Sequence, residues 1–126
     1  MKLKHAAEII MGQSPKSDTY NDKGDGVPFF QGKSDFGELN PTERIYCSSP
    51  LKLAKEKDLL ISVRAPVGDL NIANQECCIG RGLAAIRSKE GVSNYKYLYY
   101  CILNKKEFLQ SKSTGSKFKA ISKSIL

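Results

Sequence analysis

Residues 58–74, DLLISVRAPVGDLNIAN, hold two short apolar runs on either side of Pro66-Val67-Gly68-Asp69. Proline lacks an N–H and glycine reaches conformations closed to other residues, so APVGD interrupts a strand and turns the chain. DLLISVRA (58–65) and LNIAN (70–74) are therefore expected to be strands that pair as a hairpin. That commits the chain to a sheet with antiparallel pairing.

CIGRGLAAIRS (78–88) is a third candidate strand, and its two glycines mark a bulge or a place where another backbone comes close. Val27-Pro28-Phe29-Phe30 has the apolar, aromatic character of a strand entering a core. The period then changes: Tyr95, Leu98, Tyr99, Ile102 and Leu103 fall at i, i+3, i+4, i+7 and i+8, predicting an amphipathic helix over 94–104 with Ser93 as N-cap. The tyrosines share that stripe with leucine and isoleucine, which makes them core before base-stacking platforms. A polar break at 111–117 precedes FKAISKSIL, long enough for one or two helical turns. Between 14 and 26, SPKSDTYNDKGDG is so dense in Ser, Asp, Asn and Gly that a long surface loop is expected, with one helical turn near 18–21. Strands and helices mix without a βαβ rhythm or repeats, so the fold class is α+β: a single domain over residues 1–126, around a twisted, mostly antiparallel sheet with a few helices.

Gly32-Lys33-Ser34 has the ending of a phosphate-binding P-loop. That pattern needs glycine five positions before Gly32, where this chain has Val27, and Pro28 has no N–H to donate. Nucleotide binding is not expected there. The four cysteines, at 47, 77, 78 and 101, follow none of the spacings that hold zinc, and apolar neighbours make them buried small side chains in a reducing compartment. No apolar run approaches the eighteen or so residues that span a membrane, so no membrane contact and a cytoplasmic location are expected.

The chain carries a net charge of +7. Six lysines (105, 106, 112, 117, 119, 123) against the single acid Glu107 place much of that excess late in the sequence. A solvated helical face would account for it, and so would a polyanionic partner.

Enzymatic signatures are missing. The single histidine, His5, lies at the terminus, where no catalytic triad is readily built. None of the thirteen acids has lysine two positions on, as a common metal-dependent nuclease would require. The nearest string to a base-gripping methyltransferase loop, Asn40-Pro41-Thr42-Glu43, lacks a second proline and an aromatic. Polar groups on loops remain. Arg64 ends a strand, and Arg81 stands between glycines that would let a ligand approach the backbone; arginine can hold guanine bidentately or grip a phosphate. TGSKFK (114–119) sets two lysines before a predicted helical turn, whose free N–H groups favour phosphate.

Five stretches taken in order, EIIMGQSPKSDTYN (8–21), GVPFFQGKSDFG (26–37), DLLISVRAPVGDLNIAN (58–74), CIGRGLAAIRS (78–88) and GSKFKAISKSIL (115–126), resemble the target recognition domain of type I restriction–modification DNA specificity subunits. The resemblance covers nearly the whole chain. It implies sequence-specific double-stranded DNA binding without catalysis, each of two such domains reading half of a split site. Modification and restriction subunits are then the partners, and S-adenosylmethionine, ATP and Mg²⁺ belong to them, with no cofactor here. The family's chains continue into a spacer helix that this sequence lacks, so one excised domain or a truncated product is expected. Phosphate contacts are assigned to Lys16, Lys33, Lys117 and Lys119, with Ser116 adding a hydrogen bond; base or groove contacts are assigned to Gln31, Ser34, Asp35, Arg64, Asn74, Gln75 and Arg81. The competing expectation is a module that binds the modification subunit without reading DNA.

Overall fold

Leu59–Ser62 and Leu70–Ile72 pair antiparallel in the register Leu59↔Ile72, Leu60↔Asn71, Ile61↔Leu70, forming the hairpin read from the sequence. A computed structural model of the protein describes residues 7–64, 67–89 and 94–104. In chain order the strands are β1 (Ala7–Met11), β2 (Tyr20–Asn21), β3 (Val27–Phe30), β4 (Tyr46–Cys47), β5 (Leu53–Ala54), β6 (Leu59–Ser62), β7 (Leu70–Ile72), β8 (Cys77–Ile79) and β9 (Leu83–Ser88), followed by the helix α1 (Tyr95–Leu103). The α+β class holds. Among the described residues every strand pair is antiparallel except β3 with β8.

The strands divide into two sheets, ordered β1-β9-β6-β7 and β2-β4-β3-β8-β5. Side chains alternate across a strand, which explains how one sheet serves two cores. Leu59, Ile61, Ala84 and Ile86 pack with Leu98 and Ile102 of α1, while Leu60, Leu83 and Ala85 pack with Phe30, Ala54 and Ile79 of the second sheet. The four-stranded sheet is thus the middle of three layers. All four residues of β6, Leu59, Leu60, Ile61 and Ser62, are buried because this middle sheet is covered on both faces, so the strand shows no alternation of buried and exposed positions.

CIGRGLAAIRS is two strands and not one. β8 belongs to the second sheet and β9 to the first, and Gly80-Arg81-Gly82 carries the chain between them. Four strands had no counterpart in the sequence reading: β1, which pairs along its length with β9, and the two-residue β2, β4 and β5. The expected turn in the 14–26 loop is a single 3-10 turn at Ser17–Thr19, after which the chain is already extended at β2. Helix α1 buries Leu98 and Ile102, but Leu103 is left exposed. Its cap is Asn94, whose side chain accepts the Tyr97 N–H at 2.9 Å. Ser93 lies outside the described residues, as do His5, the 105–123 lysine run and FKAISKSIL.

Cys47, Cys77 and Cys78 are free thiols buried in the second sheet. Burial pushes Cys77 up to about 12 and Cys78 up to about 11. At the start of β6, buried Asp58 takes a bidentate grip from Arg87 of β9 at 2.9–3.3 Å and accepts the Lys55 N–H at 2.8 Å. That hydrogen-bonded carboxylate holds the Arg87 guanidinium above its ordinary range.

Candidate functional site

Four loops meet at one end of the layers, and the Gly80–Gly82 crossover is their common point. Gly12, after β1, donates to the Leu83 carbonyl at 2.9 Å, and Gln13 donates to that of Ile79 at 3.0 Å. Gly80 donates to the carbonyl of Phe30, where β3 ends, at 2.8 Å; Val63, after β6, donates to that of Gly82 at 3.0 Å. Contacts this tight need absent side chains. A Cβ on Gly12 would stand 1.9 Å from the Gly80 carbonyl oxygen, and one on Gly82 would stand 2.3 Å from that of Gln31. Of the glycines flanking Arg81, Gly82 therefore serves the approach of this chain's own backbone, while a Cβ on Gly80 would press on Ser14 Oγ at 3.0 Å and the Phe29 ring at 3.2 Å.

The result is a cleft of about 470 Å³ lined by Gln31, Gly32, Lys33, Ser34, Ser62, Arg64 and Gly82. It brings together four residues singled out from the sequence: Gln31, Lys33, Ser34 and Arg64, all exposed. Exposed Arg81 stands on the crossover beside it, with its N–H donated to Ser14 Oγ at 3.2 Å. Lys16, two residues beyond Ser14, is also exposed, at the head of the 3-10 turn that its carbonyl closes with the Thr19 N–H at 3.0 Å.

Two acids stand next to the cleft without lining it. Lys33 Nζ lies 3.1 Å from Asp69 Oδ2, tying the loop after β3 to the β6–β7 turn. That turn is fixed by Ser62, whose hydroxyl accepts the Asp69 N–H at 3.0 Å and whose carbonyl accepts that of Gly68 at the same distance. Asp35 is only 7% exposed. One of its oxygens accepts the Gln31 N–H at 2.8 Å and the other pairs with Arg44.

Asn74 and Gln75 lie apart from this cleft. They follow β7 at the end of the hairpin opposite Arg64, and Gln75 donates its amide to Glu43. Ser116, Lys117 and Lys119 fall outside the described residues. Ser14, Arg44, Ser62 and Asp69 are parts of the site that the sequence reading did not single out. Ser14, Ser62 and Asp69 lie within the stretches that carry the family resemblance, and Arg44 lies outside them; Ser14 and Asp69 show their place through contacts with distant Arg81 and Lys33, and Ser62 and Arg44 through contacts seven and nine residues away.

The two sheets carry arginine, lysine, glutamine and serine on loops at one end, a polar surface on a packed scaffold. The chain belongs to the type I restriction modification DNA specificity domain family, whose model matches residues 1–126. It is 53% identical over 122 residues to a putative type I restriction enzyme MjaX specificity subunit of Methanocaldococcus jannaschii, covering 94% of this chain and 28% of the relative. The MjaIX specificity subunit of the same organism is 29% identical over 136 residues, 99% of this chain and 31% of the relative. Among solved structures, the HsdS subunit from Thermoanaerobacter tengcongensis superposes with a TM-score of 0.87 at 51% identity, covering 94% of this chain and 30% of that one. The type I restriction-modification system S subunit from M. genitalium, at 12% identity and a TM-score of 0.65 over 88% of this chain and 27% of that one, shares the fold. The chain thus spans less than a third of the length of each of these relatives.

Proposed function

We propose that this domain reads one part of a double-stranded DNA target for a type I restriction–modification enzyme and performs no chemistry itself. The observation that carries this reading is the cleft, where Gln31, Ser34 and Arg64 sit on a backbone locked by interlocking glycines. Lys33 lines the same cleft and Arg81 stands on the crossover beside it, and donors of these types suit phosphates at the edge and base edges within; exposed Lys16, on the loop after β1, is assigned to a phosphate by the family resemblance. Asp35, turned inward, shapes the loop. Asn74 and Gln75 would meet DNA only at a second surface. Ser116, Lys117 and Lys119 remain assigned to phosphates by the family resemblance. Methylation and cleavage, with S-adenosylmethionine, ATP and Mg²⁺, would belong to modification and restriction subunits in the cytoplasm, and a second recognition domain would read the other half-site.

The test is a selection of the chain against a randomised duplex library, followed by titration of the preferred and a scrambled duplex over a range of salt. A preferred sequence is expected, with log affinity falling linearly with log salt. Binding without sequence preference, or without salt dependence, would overturn the reading. A second reading, docking to the modification subunit alone, draws on the outer face of α1, where Tyr97 and Tyr100 are 58% and 64% exposed, since such aromatics are enriched at protein interfaces. Capture of that subunit by a chain with no affinity for duplex would favour it.

A further inference from the structure

We propose that Asp35 and Arg44 are a positioning pair that fixes the 31–36 loop in the conformation presenting Gln31 and Ser34 to a base edge. The inference rests on the DNA-reading assignment above and names what gives that site its shape.

A buried carboxylate must be matched by donors, or its desolvation is uncompensated. Asp35 is matched from two directions. Its Oδ2 takes the N–H of Gln31, the first residue after β3, and its Oδ1 takes the guanidinium of Arg44, from the segment entering β4. Arg44 also reaches the Ser34 carbonyl at 3.5 Å, and the Thr42 N–H donates to the Asp35 carbonyl at 2.9 Å. Within the loop, Asp35 N–H to Gly32 and Phe36 N–H to Lys33 close a 3-10 turn at 3.0 and 2.9 Å. The loop is folded around one carboxylate.

Gln31 is held on both sides of its α-carbon, since Asp35 takes its N–H and Gly82 lies against its carbonyl. Gln31 and Ser34 line the 470 Å³ cleft and also a second recess of about 450 Å³, whose wall includes Asp35 and Arg44. They form the ridge between two hollows, a shape that can enter a groove. A glutamine amide offers a donor and an acceptor together, matching the N6/N7 edge of adenine, and a fixed backbone lowers the ordering cost of that match.

The experiment repeats the library selection with the full chain and with Asp35→Asn and Arg44→Gln, alongside amide hydrogen exchange in the absence of DNA. Asp35→Asn keeps the side chain's shape and an oxygen that can still accept the Gln31 N–H, but it turns an NH₂ toward Arg44. Arg44 is largely exposed, so Arg44→Gln tests the pair even if Asp35→Asn fails to fold. In both variants the preference for the selected over a scrambled duplex should fall about tenfold, the scale on which one base contact discriminates. The salt slope should stay unchanged, and the Gln31 amide should exchange faster while those of Phe29 and Ile79 do not. Undiminished preference in both variants, or unchanged Gln31 exchange, would overturn the proposal. So would equal weakening on every duplex with a salt slope lower by about one, which would make Arg44 a phosphate contact. If the unaltered chain showed no preference, the DNA-reading assignment would fail and this inference with it.

Discussion

Gly82 and Gln31 approach so closely that a Cβ on the glycine would stand 2.3 Å from the Gln31 carbonyl oxygen. The obstacle is backbone, which cannot swing aside as a side chain would. Gly82→Ala is expected to cost about 1–3 kcal/mol, the range of overpacking in a close-packed interior, read from urea unfolding. Because Gln31 must shift, the variant should also lose duplex preference at temperatures where it remains folded.

Lys33 is engaged by Asp69 in the free protein, so a phosphate would have to compete for it. The lysine is half exposed, which keeps the pair weak. Asp69→Asn should therefore tighten binding to preferred and scrambled duplexes alike by about two- to fivefold, from release of Lys33 and loss of a negative charge. Lys33→Ala should do the reverse and lower the salt slope by about one. Titrations at three salt concentrations separate the two. A change confined to the preferred duplex would instead make Lys33 a base contact.

Much of the frame was legible because its signals are local. The β6–β7 hairpin is marked by its turn, β3 by Val27–Phe30, and α1 by the spacing that puts Leu98 and Ile102 on one face. What escaped depends on distant partners. Strand β1 is defined by its register with β9, from Ala7↔Ser88 to Met11↔Ala84, and β4 and β5 are too short to show a period. The 78–88 run looked like one strand because each half is apolar; only the two-sheet packing shows that the chain changes layers at Gly80–Gly82. Likewise, Gln31, Lys33, Ser34 and Arg64 stand out in the sequence as polar groups on loops, but their convergence on one cleft comes from the crossover. Arg44 gave no signal, since its role lies in a carboxylate nine residues earlier.

At the far end of the hairpin, Asp58 and Arg87 offer a control for stability without recognition. Asp58 is 2% exposed. Arg87→Met would leave its carboxylate buried without the guanidinium, the Lys55 N–H still donating to it, a loss expected to cost about 3–5 kcal/mol. Asp58→Asn combined with Arg87→Met should recover much of that, because no uncompensated charge remains. Urea unfolding of the three proteins checks this cycle, and the folded fraction of each should keep the duplex preference of the unaltered chain.

The buried thiols set an alkaline limit with a definite sign. Cys77 and Cys78 are held at about 12 and 11 in the folded protein, against 9.0 for an unburied thiol. Below pH 9 both folded and unfolded chains keep these protons, so stability does not depend on them. Between pH 9 and 11 the unfolded chain releases them while the folded one retains them, and stability falls as pH rises, by about 1.4 kcal/mol per pH unit for each thiol. Tyrosines and lysines titrate in the same range, so the informative quantity is a difference between proteins. Going from pH 8 to pH 10, the Cys77→Ala, Cys78→Ala double variant should lose about 2–3 kcal/mol less than the unaltered chain, measured by urea unfolding at each pH under reducing conditions. Equal losses would mean that the two thiols release their protons as readily in the folded sheet as in water.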